Sequence, residues 1–321
     1  MATRSVCVLG GSGFVGTRLC AALAQEGWRI TVPTRNPAGA ARKLGMIPSL
    51  SLVGADIHDP GRLAGLCDRQ HAVINLVGIL NERGRDGSGF RRMHADLAAG
   101  IVGACHGARV DRLLQMSALN ADADHGASHY LRSKGMAERI IRNESGPDLR
   151  WTIFQPSVIF GPGDGFVNRF AGLLRMIPAV LPLARPGARF APVWVEDVVA
   201  AFMHALANDA TAGEVYQLCG PDRLTLRDIV CMVRDELGLA RAVIGLPNWA
   251  SRMQAAVCDF VPGKPFSTDN YRSLTVDSVC SVNGLARLGI RPQALSAIMP
   301  RYIGDKGTAG RLSRYRQSAS R

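Results

Sequence analysis

The chain has 321 residues, 47% of them hydrophobic and 20% charged, with a formal net charge of +12. These figures exclude a disordered chain, which needs low hydrophobicity, and they leave room for one large domain or two small ones around a full-sized core. The charge does not describe a nucleic-acid binder. In the last 21 residues six basic side chains (Arg301, Lys306, Arg311, Arg314, Arg316, Arg321) stand against Asp305 alone, and the rest is only mildly basic. Such a tail is expected to be solvated, or to touch anionic lipid or an acidic partner surface.

The first half alternates strand and helix signals. Ser5–Leu9 is short, apolar and ended by Gly10, which reads as a buried strand. Residues 14–26 place Phe14, Val15, Leu19 and Leu23 at helical spacing, and Gly27 stops them. Strands are predicted at 29–32 (closed by Pro33), 50–53, 72–77, 113–116 and 151–154, with helices at 90–107 and 130–142. Alternating elements of this kind imply a Rossmann-type α/β fold, a doubly wound parallel sheet with helices on both faces. After residue 156 Pro and Gly cluster and the pattern loosens. Strands are expected at 193–195 and 214–218, helices at 196–206 and 225–237, with irregular helix from Leu246. The predicted organisation is a nucleotide-binding domain over 1–155, a smaller substrate lobe over 156–303 partly interleaved with it, and a basic, disordered tail over 304–321.

None of the eight cysteines (7, 20, 67, 105, 219, 231, 258, 280) forms Cys-x-x-Cys or a zinc-finger spacing, and most lie in apolar runs. They are read as buried and reduced, which points to a reducing compartment. No metal is predicted, because the histidines form no ligand pattern. The apolar run at the start breaks at Gly10, so no signal peptide is expected, and no uncharged apolar window is long enough to span a membrane. Together these place the protein in the cytoplasm, with peripheral contact at the inner face of the membrane as a further expectation.

Gly10-Gly11-Ser12-Gly13-Phe14-Val15-Gly16 follows the first strand and opens the first helix. Gly10 permits the tight turn, Gly13 lets backbone approach a pyrophosphate, and Gly16 lets helix and strand pack closely. The helix N-terminus offers N–H groups and partial positive charge to the phosphates. An acid at the end of the second strand would favour NAD(H), but the chain has Pro33-Thr34-Arg35-Asn36 there. Arg35 suits a 2′-phosphate, so NADP(H) is the predicted cofactor in preference to NAD(H).

Tyr130 and Lys134 are four apart and share one helix face. An ammonium and the nicotinamide charge would lower the phenol's ordinary value of about 10. Tyr130 then serves as acid or base in hydride transfer, Lys134 holds the nicotinamide ribose, and Ser117, at the end of the fifth strand, orients the substrate oxygen.

In this order the residues resemble the short-chain dehydrogenase/reductase superfamily. The resemblance implies that Asp56 and Ile57 flank the adenine and that Leu76, Val77 and Gly78 line the cofactor. It implies the same of the Gln155-Pro156-Ser157-Val158 segment beside the nicotinamide, with Pro156 and Val158 as cofactor residues. Three stretches, 74–80, 130–134 and 265–277, look like the atypical subgroup of the respiratory complex I 39 kDa subunit, which includes free-standing bacterial homologues. Its mitochondrial member is an accessory subunit that binds NADPH tightly, and related members are linked to ubiquinone metabolism. The resemblance also exposes a departure: superfamily members carry an Asn that props the lysine, and His94 occupies the matching position.

Residues 166–183 are strongly apolar with two arginines, which suits a core helix, a wall for an apolar substrate, or a membrane-facing surface. The leading expectation is an NAD(P)H-binding oxidoreductase acting on a small hydrophobic, quinone-related carbonyl or alcohol. The alternatives are a non-catalytic NADPH-holding module in a membrane-associated respiratory or quinone-biosynthesis assembly, and a nucleotide-sugar epimerase or dehydratase. No nucleic-acid partner is expected.

Overall fold

The computed structural model describes residues 4–262 and 264–303, so the basic tail expected over 304–321 lies outside the described residues. In chain order the first elements are β1 (Ser5–Leu9), α1 (Phe14–Gln25), β2 (Arg29–Thr34), α2 (Pro37–Leu44), β3 (Leu50–Gly54), α3 (Pro60–Cys67) and β4 (Ala72–Asn75). They continue with α4 (Ser88–Arg91), a π-helical turn (Arg92–Asp96), α5 (Leu97–Ala108), β5 (Arg112–Met116), α6 (His129–Glu144) and β6 (Arg150–Pro156). Then come β7 (Ile159–Phe160), α7 (Val167–Met176), β8 (Val180–Leu183), β9 (Arg189–Phe190), β10 (Val193–Trp194), α8 (Val195–Ala207) and β11 (Glu214–Leu218). The last are β12 (Leu224–Thr225), α9 (Leu226–Glu236), β13 (Ala242–Gly245), α10 (Asn248–Cys258), α11 (Thr268–Ser273), α12 (Gly284–Arg287) and α13 (Leu295–Ile298).

The chain divides into two units. The first holds residues up to Pro156 together with Val198–Gln217 and Asn283–Ile290. Among the described residues the second holds Ser157–Asp197, Leu218–Val282 and those from Arg291 to Ile303. A seven-stranded sheet in the order β11-β6-β5-β4-β1-β2-β3 forms the first unit. Its pairs β1–β2, β1–β4, β2–β3, β4–β5 and β5–β6 are parallel. Strands β1 and β5 are buried at every position, because helices cover both faces of the sheet. The strand order reverses between β1 and β4, and a crevice at such a point is where open α/β sheets bind ligands. Leu63, Leu97, Ile101, Leu113 and Ile153 form the core beneath α3 and α5.

Side-chain caps set where helices begin. Asn36 accepts from Gly39 N–H, Asp59 from Arg62 N–H, and Ser128 from Leu131 N–H. Helix α1 has no such cap and no acid in its first turn. The later segment is tied on by Arg112, only 4% exposed, which donates to the carbonyls of Arg150 and Ala205 and to the hydroxyls of Thr152 and Thr211.

Several local expectations change. Strand β2 runs through Pro33 to Thr34, because pairing with β1 ends at Thr31 and the missing N–H interrupts no bond on that side. Strand β4 stops at Asn75, whose side chain accepts from Val77 N–H and turns the chain. The helix predicted over 90–107 is broken by the π-helical turn that carries His94. The apolar stretch 166–183 is a helix followed by a strand, α7 and β8.

The second unit packs Phe160, Leu174, Leu183, Ile229 and Val233 into its own core. Here one cysteine expectation is overturned: Cys219 and Cys280 form a disulfide, with Cα atoms 6.0 Å apart. The fold brings together two residues 61 apart in sequence, and no local spacing announces such a pair. Cys7, Cys20, Cys67, Cys105, Cys231 and Cys258 are free thiols, the first four buried.

Candidate active site

The glycine loop lies at the C-terminal end of β1, beside the exit of β4. Gly10 has φ +80°, and a Cβ there would stand 3.2 Å from the backbone of Leu76 and Val77. Gly11 is held against Val32, and a Cβ on Gly16 would come within 2.4 Å of Gly10 O. Those three glycines answer to the protein's own packing. Gly13 differs, since a Cβ there would meet only Gly10 O at 3.1 Å, and Gly13 is exposed at the start of α1. The space above it is open, as close approach of a phosphate requires. Ser12, Phe14 and Val15 are partly exposed around that space. These residues fit a dinucleotide pyrophosphate.

Arg35 is exposed just past β2, where Thr34 and Asn36 shape the turn. Asp56 is exposed, and its carboxylate accepts from His58 N–H, which fixes the turn after β3. Ile57 packs on the core and lines a pocket of about 310 Å³ with His58, Pro60, Leu63, Arg92 and Leu97. His58 is held below its usual value first by burial and then by the Arg92 charge, with Arg35 adding to the same field.

The Leu76-Val77-Gly78-Ile79 segment is fastened at each step. Leu76 N–H donates to Leu9 O, and Val77 N–H to Asn75 Oδ1. Asn75 donates in turn to Gln115 Oε1. Lys134 Nζ donates to Val77 O at 3.2 Å and to Met116 O at 3.1 Å, and a Cβ on Gly78 would lie 3.2 Å from Nζ. Ile79 N–H donates to His94 Nε2 at 3.2 Å.

This last bond fixes the histidine. A backbone N–H can only donate, so Nε2 carries a lone pair and the proton sits on Nδ1. Nδ1 therefore donates to Ser133 Oγ (2.7 Å), which donates onward to Tyr130 O. His94 is 2% exposed, and burial followed by the Lys134 charge pulls its pKa to about 2. It is a neutral strut joining the 76–79 segment to α6, at the position where the resemblance places an Asn.

Tyr130 is partly exposed, with its ring edge-on to His94 and Phe90 at 5.6 and 6.1 Å between centroids. Burial of the phenol pushes its pKa up to about 12, opposite to the lowering expected from Lys134. Lys134 is 3% exposed, and burial lowers it to about 8 against the opposing charge of Glu138.

Ser117 is 3% exposed, and its hydroxyl donates to Glu138 Oε1 at 2.5 Å. With that bond made Ser117 can still accept from a substrate hydroxyl, but donating to a substrate carbonyl requires the bond to be given up. Gln155 also donates to Glu138 Oε1 (2.7 Å), and Arg142 pairs with Oε2 (2.8 Å). Burial raises the Glu138 carboxyl, while Ser117, Gln155, Arg142 and Lys134 pull it back. Sequence reasoning missed Glu138, although it lies one turn beyond Lys134 on the same face as Tyr130, a spacing that could have flagged it. Pro156 is buried at the end of β6, where its carbonyl accepts from Leu119 N–H. Val158 belongs to the second unit and accepts from Val193 N–H there. Among the described residues no cluster of His, Cys, Asp or Glu could hold a metal ion, and no helix is long and apolar enough to cross a membrane.

Comparison with known proteins bears on the fold and the family. The NAD dependent epimerase/dehydratase family matches residues 6–219. The chain is 29% identical over 292 residues to the mitochondrial NADH dehydrogenase [ubiquinone] 1 alpha subcomplex subunit 9 of Arabidopsis thaliana, covering 87% of this chain and 71% of that one. It is 30% identical over 195 residues to a ceramide reductase of Caulobacter vibrioides, covering 61% and 58%. In fold it is similar to the dTDP-glucose 4,6-dehydratase DesIV of Streptomyces venezuelae, solved with NAD bound, at TM-score 0.71 and 21% identity over 92% of this chain and 95% of that one.

Proposed function

The chain belongs to the NAD dependent epimerase/dehydratase family, an NAD(P)-binding family, and from that premise we propose that it is an NADPH-dependent reductase of an apolar, quinone-related or lipid carbonyl compound. The observation that carries the reading is the joint placement of Tyr130 and Lys134 on α6, with Lys134 tethered to Val77 O and Met116 O beside the glycine loop. Arg35 supports NADP(H) over NAD(H). Bound cofactor would supply a hydride. The chain's own part is the proton. With its pKa near 12, Tyr130 stays protonated at neutral pH and suits the role of acid toward a carbonyl oxygen. The Lys134 ammonium stabilises the phenolate left behind, and an N–H not used by the two carbonyls serves a ribose hydroxyl. The similarity to a protein named ceramide reductase supports an apolar substrate.

Commitment of the Ser117 hydroxyl to Glu138 favours a second reading, an NADPH-holding module without turnover within a membrane-associated respiratory assembly. Similarity to a mitochondrial NADH dehydrogenase subunit supports it as well. One experiment separates the two. Wild type and Tyr130→Phe are mixed with NADPH and either a long-chain ketone or a short-chain ubiquinone analogue, and absorbance is followed. The reductase reading expects oxidation by wild type and its loss in Tyr130→Phe with NADPH still bound. Stoichiometric NADPH that neither acceptor oxidises establishes the module instead.

A further inference from the structure

Helix α10 is packed inside out. Its buried positions are Ala250, Ser251 and Ala255, all small, while Trp249, Met253 and Val257 are 69%, 57% and 62% exposed. The spacing 249, 253, 257 keeps these three on one face. A surface helix of a globular protein shows the reverse distribution, with its large apolar residues toward the core. Phe260, just past the helix, is 77% exposed.

The patch extends beyond the helix. Gln254 Nε2 donates to Pro182 O, which sets α10 beside β8, and β8 pairs in parallel with β13. The outward positions of this ribbon include Val180 and Ile244, 42% and 53% exposed. Exposed apolar area of this extent marks an interaction surface. Arg252 on α10 and Arg175 near the end of α7 are exposed. The segments 165–195 and 237–258 that supply the patch contain six arginines and no acid, the nearest acids in sequence being Asp164, Glu196, Glu236 and Asp259. Asp259, next in sequence, is turned to Thr268, from whose N–H and Oγ1 it accepts.

We propose that this face of the second unit docks on an anionic phospholipid bilayer, with Trp249, Met253 and Val257 entering the headgroup boundary and the arginines meeting lipid phosphates. Large apolar residues bordered by arginine, with no acid, are what interfacial binding uses. A second copy of the chain fits less well. A two-fold contact through this face would set two arginine-rich surfaces against each other, and like charges oppose association. The inference does not depend on the reductase reading.

The test is co-sedimentation of the full chain with vesicles of phosphatidylcholine and phosphatidylglycerol, and with phosphatidylcholine alone. Wild type is expected to pellet with the anionic vesicles and to be released by salt. Changing Trp249→Ser, Met253→Ser and Val257→Ser together is expected to lower the partition coefficient by about tenfold or more, with the melting temperature unchanged because the three residues are exposed. A blue shift of tryptophan emission on adding vesicles is expected for wild type and not for Trp249→Phe. Absence of wild-type binding overturns the proposal. So does equal binding by the triple variant, since the basic tail would then carry the attachment. A blue shift kept by Trp249→Phe overturns it too, as does a wild-type dimer that the triple variant returns to monomer.

Discussion

Glu138→Gln removes one charge beneath the Tyr130–Lys134 pair while keeping the shape and an acceptor for Ser117 and Gln155. Lys134 sits at about 8 because burial pulls it down and Glu138 holds it up. With the i, i+4 spacing taken as about 6 Å and an effective dielectric of about 20, the attraction is about 3 kcal/mol. Arg142, paired to the same carboxylate, and the upward pull of burial on Glu138 itself reduce the usable part to about half. That is about 1.4 kcal/mol, or one pKa unit. The sign follows from the charge type: an ammonium is kept below its pKa and lost as pH rises through it. At pH 7.5 the protonated fraction of Lys134 would fall from about three-quarters to about one-quarter. The assay is NADPH affinity by fluorescence titration from pH 6 to 9. Affinity of wild type is expected to weaken as pH rises through about 8, and that of Glu138→Gln about one unit lower. Coincident profiles would refute the reasoning, and would mean that Glu138 is already protonated in the native protein.

His94 makes a second pH prediction. Its folded pKa of about 2 lies below the ordinary 6.5, so the stability it contributes is present above 6.5 and is lost as pH falls toward the folded value. Between pH 7.5 and pH 5 that loss is about 2 kcal/mol, read by urea unfolding, and His94→Asn should remove this part of the slope. Arg112→Ala leaves the acceptors on β6 and the 205–211 segment without their buried donor. It should destabilise the protein by about 3 kcal/mol in the same unfolding assay, and a change below about 0.5 kcal/mol would contradict the pinning role. Arg35→Ala should weaken NADPH by about tenfold and leave NADH nearly unchanged in calorimetry, whereas equal losses would remove the case for a 2′-phosphate contact.

Much of the first unit was legible from sequence because its signals are local. The alternation of apolar runs with amphipathic stretches specified strands and helices, and the glycine spacing at 10, 13 and 16 specified a strand–loop–helix turn open at Gly13. The four-residue step from Tyr130 to Lys134 follows from helix geometry alone. What sequence could not supply were relations across long separations. The Cys219–Cys280 bond joins residues 61 apart, and Ser117 meets Glu138 only because α6 lies over the end of β5. The tautomer of His94 was decided by Ile79 and Ser133, which come from two different elements, and the rise in the Tyr130 pKa by the burial that packing imposes. Composition likewise marks α10 as apolar, but which of its faces is buried is set by what packs against it. Periodicity determines the element, and tertiary packing decides the partner, the protonation state and the exposed face, because each of those depends on atoms that only the fold brings within reach.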